Sequence, residues 1–475
     1  MIMMSFCRQR VSNIFVFFLV LCLFSSTRLS AQDFQQLDSF KEGERVLILA
    51  PHPDDEAIAC AGVIQEAILK GAKVKIVYLT NGEHNQFAFI VYKKRIVLKK
   101  NEFIALGQVR RKESIKAMQL LGLEEADLIF LGYPDFGTFS MFTRFWNTDK
   151  PFRSLLTRIS SVPYEDSPSF KTPYFGENIL KDLKKVILDY RPDKIFVSHP
   201  ADVNVDHKSL YLFLRIALAQ LKEEISYPKI YPYLVHHSGW PLPRHYHPDL
   251  ELTPPKGFSG SDIKWSNFDL TAQQLDNKKK AILCYRSQTQ SSAFYLLAFA
   301  RKNELFGDYP AINLNHQTKL NENPVSFFGS SRMFPDINSE GNYAENISLA
   351  SKGRASYAVL GDDLIIMIEK PENIVYRFST TLYLFGYNYN VPFADMPKMR
   401  IITKHKNFRV LDGKKLIDGS GVYLNLAPAA LTLKIPLKEL GSPDFILASV
   451  KSYIGRDEGG DSPIYTTGFR IININ

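Results

Sequence analysis

Two short stretches hold residue types that can do chemistry together: APHPDDE at 50–56 and SHPADVNVDH at 198–207. In the first, His52 and Asp55 lie three apart, close enough to grip one ion from a rigid turn. In the second, His207 can supply a third ligand. Two imidazoles and a carboxylate suit Zn2+ and leave positions open for water and substrate. The same donors serve Fe2+. Asp54 would then be an acid beside the ion that does not bind it, placed to take the proton of an attacking water. The positive end of the helix beginning near Glu56 helps hold these acids ionised. The competing reading is a helix N-cap with acids in the first turn. For His207 the competing reading is a solvated histidine at a helix start.

The elements around these stretches decide whether they meet. RVLILA (45–50), KVKIVYL (73–79), DLIFLG (127–132), KIFVS (194–198) and KIYPYLVHH (229–237) read as strands. They alternate with helical spacings over 56–71, 110–122, 177–193 and 207–224, a pattern that predicts an α/β fold. The expected architecture is a Rossmann-like, mainly parallel sheet with helices on both faces. Such a sheet binds its ligand outside the carboxyl ends of its strands. APHPDDE and SHPADVNVDH each follow a strand directly, so both emerge from one edge. Insertions at 84–109 and 135–176 interrupt the alternation and are expected at the functional side. Beyond about residue 320, short β-rich runs separated by Gly, Asn, Asp and Pro predict a β-sandwich. The expected division is 32–315 for the first domain and 325–475 for the sandwich, with a polar boundary in NLNHQTKLNENP (313–324).

The chain has 475 residues, 45% hydrophobic and 23% charged, as globular proteins do. Arg8 and Arg10 precede an apolar core at 14–24, and small and polar residues run to Ala31. That is the layout of a secretory signal over 1–31, too short for a spanning helix. Export to the periplasm, the cell surface or the medium is expected, with no stable membrane span after cleavage; a signal anchor is the other reading. The formal charge of +9 falls to +6 once Arg8, Arg10 and Arg28 are removed (9 − 3). The densest basic stretch, KKRIVLKK (93–100), reads as a solvated helix face, and no nucleic-acid motif accompanies it. Cys60 and Cys284 are too few for a disulfide framework and read as small buried hydrophobes.

PHPDDE, TNGE (80–83), the R-x-x-E-x-x-x-A helix at Arg110–Ala117, DVNVDH (202–207) and YRSQ (285–288) together resemble the LmbE/PIG-L-like zinc N-deacetylases, over about 43–290. PHPDDE with a distant DH is the specific part. The resemblance implies His52, Asp55 and His207 as metal ligands and Asp54 as general base. It implies hydrolysis of the acetamide of an N-acetylated amino sugar, GlcNAc-type, carried on a glycan or glycoconjugate. Many members of that family have a histidine three places before the last ligand, steadying the oxyanion. This chain has Asn204, whose amide can donate a hydrogen bond but not deliver a proton. Asp54 is then expected to return the proton to the leaving amine.

Other residues have two readings each. Arg110 holds a substrate hydroxyl or phosphate, or is a surface ion-pair partner. Glu83, His199 and Asp202 support the site or are structural. The histidines of HHSGWPLPRHYH (236–247) make a second metal site or an irregular loop, with Trp240 and Tyr246 as sugar-stacking candidates. The sandwich binds glycans or is purely structural. Two rival functions remain: a glycan-binding protein with a decayed hydrolase domain, and a metal-dependent hydrolase of another bond, such as a phosphoester.

Overall fold

The computed structural model describes residues 34–85, 90–92, 99–258, 263–314, 343–344, 355–370, 378–404, 407–427, 430–454 and 465–474. The expected signal at 1–31, most of KKRIVLKK and most of the boundary stretch lie outside them.

The first sheet contains β1 (Arg45–Ala50), β2 (Lys73–Thr80), β3 (Leu128–Tyr133), β4 (Lys194–Ser198), β5 (Lys229–Tyr233), β6 (Lys264–Asp269) and β7 (Asn303–Asp308). Their order is β6-β7-β5-β4-β1-β2-β3. β3, β2, β1, β4 and β5 pair in parallel. β7 and β6 add antiparallel pairs beyond β5, where the sequence pattern had the series end. KWSNFD is polar at four of its six places and lacks the apolar run that marks a buried parallel strand.

Side chains alternate across a strand, so each strand feeds two layers. Leu47, Leu49, Val77, Leu79, Ile195 and Val197 face one helix layer. That layer comprises α3 (Thr138–Arg144), α4 (Gly176–Tyr190) and α5 (Val205–Gln220). The other layer holds α1 (Asp55–Leu69), α2 (Lys100–Leu120), α6 (Ala272–Cys284) and α7 (Arg286–Leu296). Helix α2 starts ten residues before the expected Arg110, so the last ten residues of the supposed 84–109 insertion are helix. Cys60 is buried and Cys284 half-buried, both free.

One ion pair in this layer is deeply buried. Lys278 Nζ on α6 lies 2.8 Å from Glu304 Oε1 on β7, with side chains 1% and 0% exposed. Glu304 also accepts the backbone N–H groups of Gly62 and Val63 at 2.9 and 3.0 Å, tying α1 to β7. Lys278→Met would leave that carboxylate without its cation. We expect a loss of about 3–5 kcal/mol. Urea unfolding of both forms measures it, and an unchanged midpoint would contradict this account of the pair.

Two sheets follow, with strands β8 (Ile312–Leu314), β9 (Ala355–Leu360), β10 (Asp363–Glu369), β11 (Phe378–Tyr387), β12 (Lys398–Lys404), β13 (Asn407–Asp412), β14 (Lys415–Ile417), β15 (Tyr423–Leu426), β16 (Ala430–Pro436), β17 (Phe445–Ile454) and β18 (Arg470–Ile474). The sheets run β9-β10-β16-β15 and β14-β13-β12-β11-β17-β18-β8. Leu364, Ile366 and Leu433 of the first meet Leu382, Ile401 and Ile446 of the second in a sandwich core. All pairs among these strands are antiparallel except β18 with β8. β8 runs into the start of the polar stretch read as a boundary and lies within the expected first domain, yet it completes a sandwich sheet.

The outer face of the longer sheet packs on the α/β layers. Phe139 meets Tyr383 with ring centroids 5.5 Å apart, and Phe142 meets Phe385 at 5.2 Å. Tyr383, Phe385, Phe445 and Phe469 belong to the same buried cluster as Leu47 and Leu212. Just before β18, the Phe469 N–H donates to Pro200 O at 3.1 Å, inside the SHPADVNVDH loop.

Candidate metal centre

β1 ends at Ala50 and the chain turns through Pro51–Asp54 into α1. Asp54 takes a left-handed backbone conformation, φ 119°, and its side chain makes no cap hydrogen bond to the helix. Non-glycine residues rarely adopt that region, and their strain concentrates at functional sites. The helix-cap reading of Asp54 therefore falls. Asp55 points back into the turn, where its Oδ2 accepts the His52 N–H at 3.0 Å.

β4 delivers the second stretch. Asn204 caps α5 by accepting the Asp206 N–H at 2.8 Å, which sets His207 on the first turn. Asp55 Oδ2 lies 3.3 Å from His52 Nδ1 and 3.2 Å from His207 Nε2. The two stretches do converge. His236, just after β5, joins them: the donor atoms of His52, Asp55, His207 and His236 all lie within 4.8 Å of one another. Buried His207 has a carboxylate against each ring nitrogen, Asp55 at Nε2 and Asp202 at Nδ1. Three imidazoles around one carboxylate fit a zinc-type ion.

The opposite ends of the ligands are held by acids. Asp202 Oδ2 lies 3.1 Å from His207 Nδ1 and accepts the His236 N–H at 2.8 Å, so Asp202 orients a ligand. Asp206 Oδ2 lies 3.3 Å from His52 Nε2, and Asp135 Oδ1 3.2 Å from the same nitrogen. Asp206 is itself fixed by the Phe136 N–H at 2.6 Å and by the Thr138 hydroxyl. Glu83 Oε1 accepts the Asp135 N–H at 3.1 Å, placing Glu83 behind Asp135. His52, Asp135 and Asp206 also group as a possible ion cage. Asp206 already spends its oxygens on backbone and hydroxyl donors, and the trio reads better as the clamp on His52 that leaves Nδ1 for the ion.

Arg110 reaches this site from α2 rather than lying on the surface. It is buried, with Nη1 donating to Gly82 O at 2.7 Å, Nη2 to Pro53 O at 2.5 Å, and Nη2 3.3 Å from Asp54 Oδ2. Gly82 has φ +66°, and a Cβ there would collide with the Arg110 guanidinium. Arg110 Nε has no hydrogen-bond partner. A cavity of about 300 Å³ opens over these groups, lined by His52, Asp54, Arg110, Asn204, His236 and Tyr295 among others.

Burial pushes the Asp54 carboxyl up, against the pull of Arg110, to about 7. Burial would push His207 down, but Asp202 and Asp55 outweigh it and raise it to about 9. Asp55 is held well below the carboxylate range: burial opposes this, and the His207 and His52 charges prevail. The metal-free protein thus keeps His207 protonated at neutral pH, and an ion must displace that proton. A group with a raised pKa competes most below that pKa. Zinc affinity should therefore climb as pH rises from 7 towards 9 and level off above. Competition titrations with a chelator at each pH measure it, and a flat profile over that range would refute the assignment.

Several candidates fall elsewhere. His199 is fully buried, stacked 6.0 Å from Trp265, and burial lowers it to about 3; it is a packing residue. Trp240 is buried with Nε1 donating to Thr253 O at 2.7 Å, so it is no exposed sugar platform. Lys279 Nζ sits 4.1 Å over the Tyr246 ring. Of the loop histidines only His236 joins a candidate ion group among the described residues, and it joins the first centre instead of forming a second. Its signal was its position directly after a parallel strand, which extends the same sheet edge. Asp135 had the same signal, two residues beyond β3.

Residues 47–218 match the family model PIG-L, described as GlcNAc-PI de-N-acetylase. This part of the chain is similar to that family. The match covers β1 to α5, hence His52, Asp54, Asp55, Arg110 and His207, while His236 lies outside it. Similar solved structures include an N,N'-diacetylchitobiose deacetylase from Pyrococcus horikoshii, 19% identical, over 52% of this chain and 70% of that one, TM-score 0.31. The A40926 pseudoaglycone deacetylase Dbv21 is 14% identical over 56% and 97%, TM-score 0.35. GalB, a 4-carboxy-2-hydroxymuconate hydratase from Pseudomonas putida KT2440, is 16% identical over 59% and 99%, TM-score 0.35. No curated protein matches the chain significantly.

Proposed function

We propose that the chain is a metal-dependent N-deacetylase that hydrolyses the acetamide of an N-acetylated amino sugar, GlcNAc-type, to acetate and a free amine. The observation that carries this reading is Asp54: a buried carboxylate displayed by left-handed backbone beside the ligand group, outside that group itself, and paired with Arg110. A mere metal clip has no use for it. The PIG-L match over the same residues supports the bond chosen.

His52, Asp55, His207 and His236 would hold the ion. When bound, it acidifies water and polarises the acetamide carbonyl. Asp54 takes the proton of the attacking water as the new C–O bond forms. Arg110 keeps the Asp54 carboxylate aimed and lines the cavity that would receive the substrate. Asn204 spends its carbonyl on the cap, so its amide N–H groups remain to meet the developing oxyanion. Asp54 then gives the proton to the nitrogen as the C–N bond breaks.

The basic-then-apolar N-terminus supports an exported enzyme, and hence a cell-surface or environmental glycan as substrate. Among the described residues no helix is long and apolar enough to cross a membrane. The test is acetate release from N-acetylated chito-oligosaccharides by zinc-loaded protein. Metal bound without acetate from any N-acetylated sugar tried would overturn the reading in favour of another bond.

A further inference from the structure

Between β3 and α3 the chain makes one tight turn, Pro134–Gly137, and Phe136 sits in it on left-handed backbone, φ 58°. A bulky side chain is an outlier there, and such strain persists only where the surroundings over-determine the backbone. Here they do, because four successive N–H groups are engaged. Asp135 donates to Glu83 Oε1 at 3.1 Å and Phe136 to Asp206 Oδ2 at 2.6 Å. Gly137 donates to Pro134 O at 3.0 Å and Thr138 to Asp206 Oδ1 at 3.3 Å. Glycine would take this position without strain. This chain carries phenylalanine.

The strained turn holds the Phe136 side chain out from the fold, 51% exposed, as part of the lining of the metal cavity. Single exposed apolar side chains are ordinary on a protein surface and need no explanation. Among the described residues, however, Phe136 is the one exposed large apolar side chain that has left-handed backbone, and the one that lines this cavity. His84 packs against its ring, with centroids 5.1 Å apart and planes at 67°, which steadies the ring while half of its surface stays open.

A single oxygen, Asp206 Oδ2, lies between the Phe136 N–H, at 2.6 Å, and His52 Nε2, at 3.3 Å. The ring therefore stands at the edge of the ion group. Polar side chains, among them Arg110, Asn204, Gln288 and Ser292, line the same cavity. A pyranose has the matching character: a flat face of C–H groups and a rim of hydroxyls. The face gains by covering an aromatic ring, and the rim gains from a few placed polar groups. Trp240, which the sequence offered for this role, is buried.

We propose that Phe136 is the platform on which a pyranose ring of the substrate stacks. The inference rests on the amino-sugar reading above and deepens it, since it names the side chain that recognises the ring.

The test is calorimetry of tri-N-acetylchitotriose on full, zinc-loaded Asp54→Asn protein, in which turnover is removed with the base. Phe136→Gly, added to that parent, relieves the backbone and should weaken binding by about fivefold or more, the scale of half an aromatic side chain returned to water. Phe136→Leu keeps apolar bulk without a flat face and should lose part of the affinity; Phe136→Tyr should restore the parent level. Zinc content should be the same throughout. Binding unchanged in Phe136→Gly overturns the platform, as does no binding to the parent. Leucine equal to phenylalanine would mean bulk without stacking and also overturns it. Zinc lost together with the sugar in Phe136→Gly would make the residue a support of the His52 clamp, against the proposal. Acetate release by the wild type is measured alongside. Acetate released with binding untouched in Phe136→Gly sinks the platform alone. No acetate from any N-acetylated sugar sinks the deacetylase reading, and the binding series still decides the platform.

Discussion

Asp54→Asn keeps its zinc and loses acetate release, with kcat down by about 10²–10⁴-fold, the span that positioned general bases contribute. The substitution is nearly isosteric and leaves the four donor residues in place. Asn cannot accept a proton from water at neutral pH, and it cannot return one to the amine. The left-handed backbone at Asp54 favours the test, because asparagine tolerates that conformation better than most residues. Metal analysis and steady-state kinetics on one preparation suffice. A variant with normal zinc and activity within a few fold of wild type would remove Asp54 from the chemistry.

His207→Ala and Asp55→Ala should each reduce bound zinc from about one per chain to a trace, since either removes a ligand from a small donor set. Asp55 is the more severe loss. Its Oδ2 is the point on which His52 and His207 converge, so removing it also lets two imidazoles repel. His236→Ala should weaken affinity yet leave measurable metal. Purification without chelator, metal analysis and a thermal melt separate loss of ion from loss of fold. Zinc retained at full occupancy in either of the first two variants would mean that the two stretches do not share an ion.

The centre was legible from sequence where chemistry and position coincide. His52, Asp54, Asp55 and His207 stand at the ends of apolar parallel strands, and strand ends of one sheet must share an edge. Arg110 was visible as a motif, but not its burial: α2 has weak amphipathic contrast, so nothing showed which face turns inward. Asp135 and His236 also follow strands of the same sheet. They were hidden because one opens a long insertion and the other sits in a run of histidines with no spacing to single it out. β6 and β7 were missed because KWSNFD and NELFGD mix polar and apolar residues and carry little periodic signal. The sandwich was recognised from its short β runs, but its apolar outer face was not. Tyr383 and Phe385 alternate as any strand would, and only the partner layer shows that both sides are covered.

The bond from Phe469 N–H to Pro200 O, with Gly468 packed against Ala201, ties the loop that carries Asp202 and His207 to a segment more than 250 residues later. During synthesis the first sheet and its ligands emerge long before that segment exists. The ligand loop therefore lacks this brace until the last strand is in place.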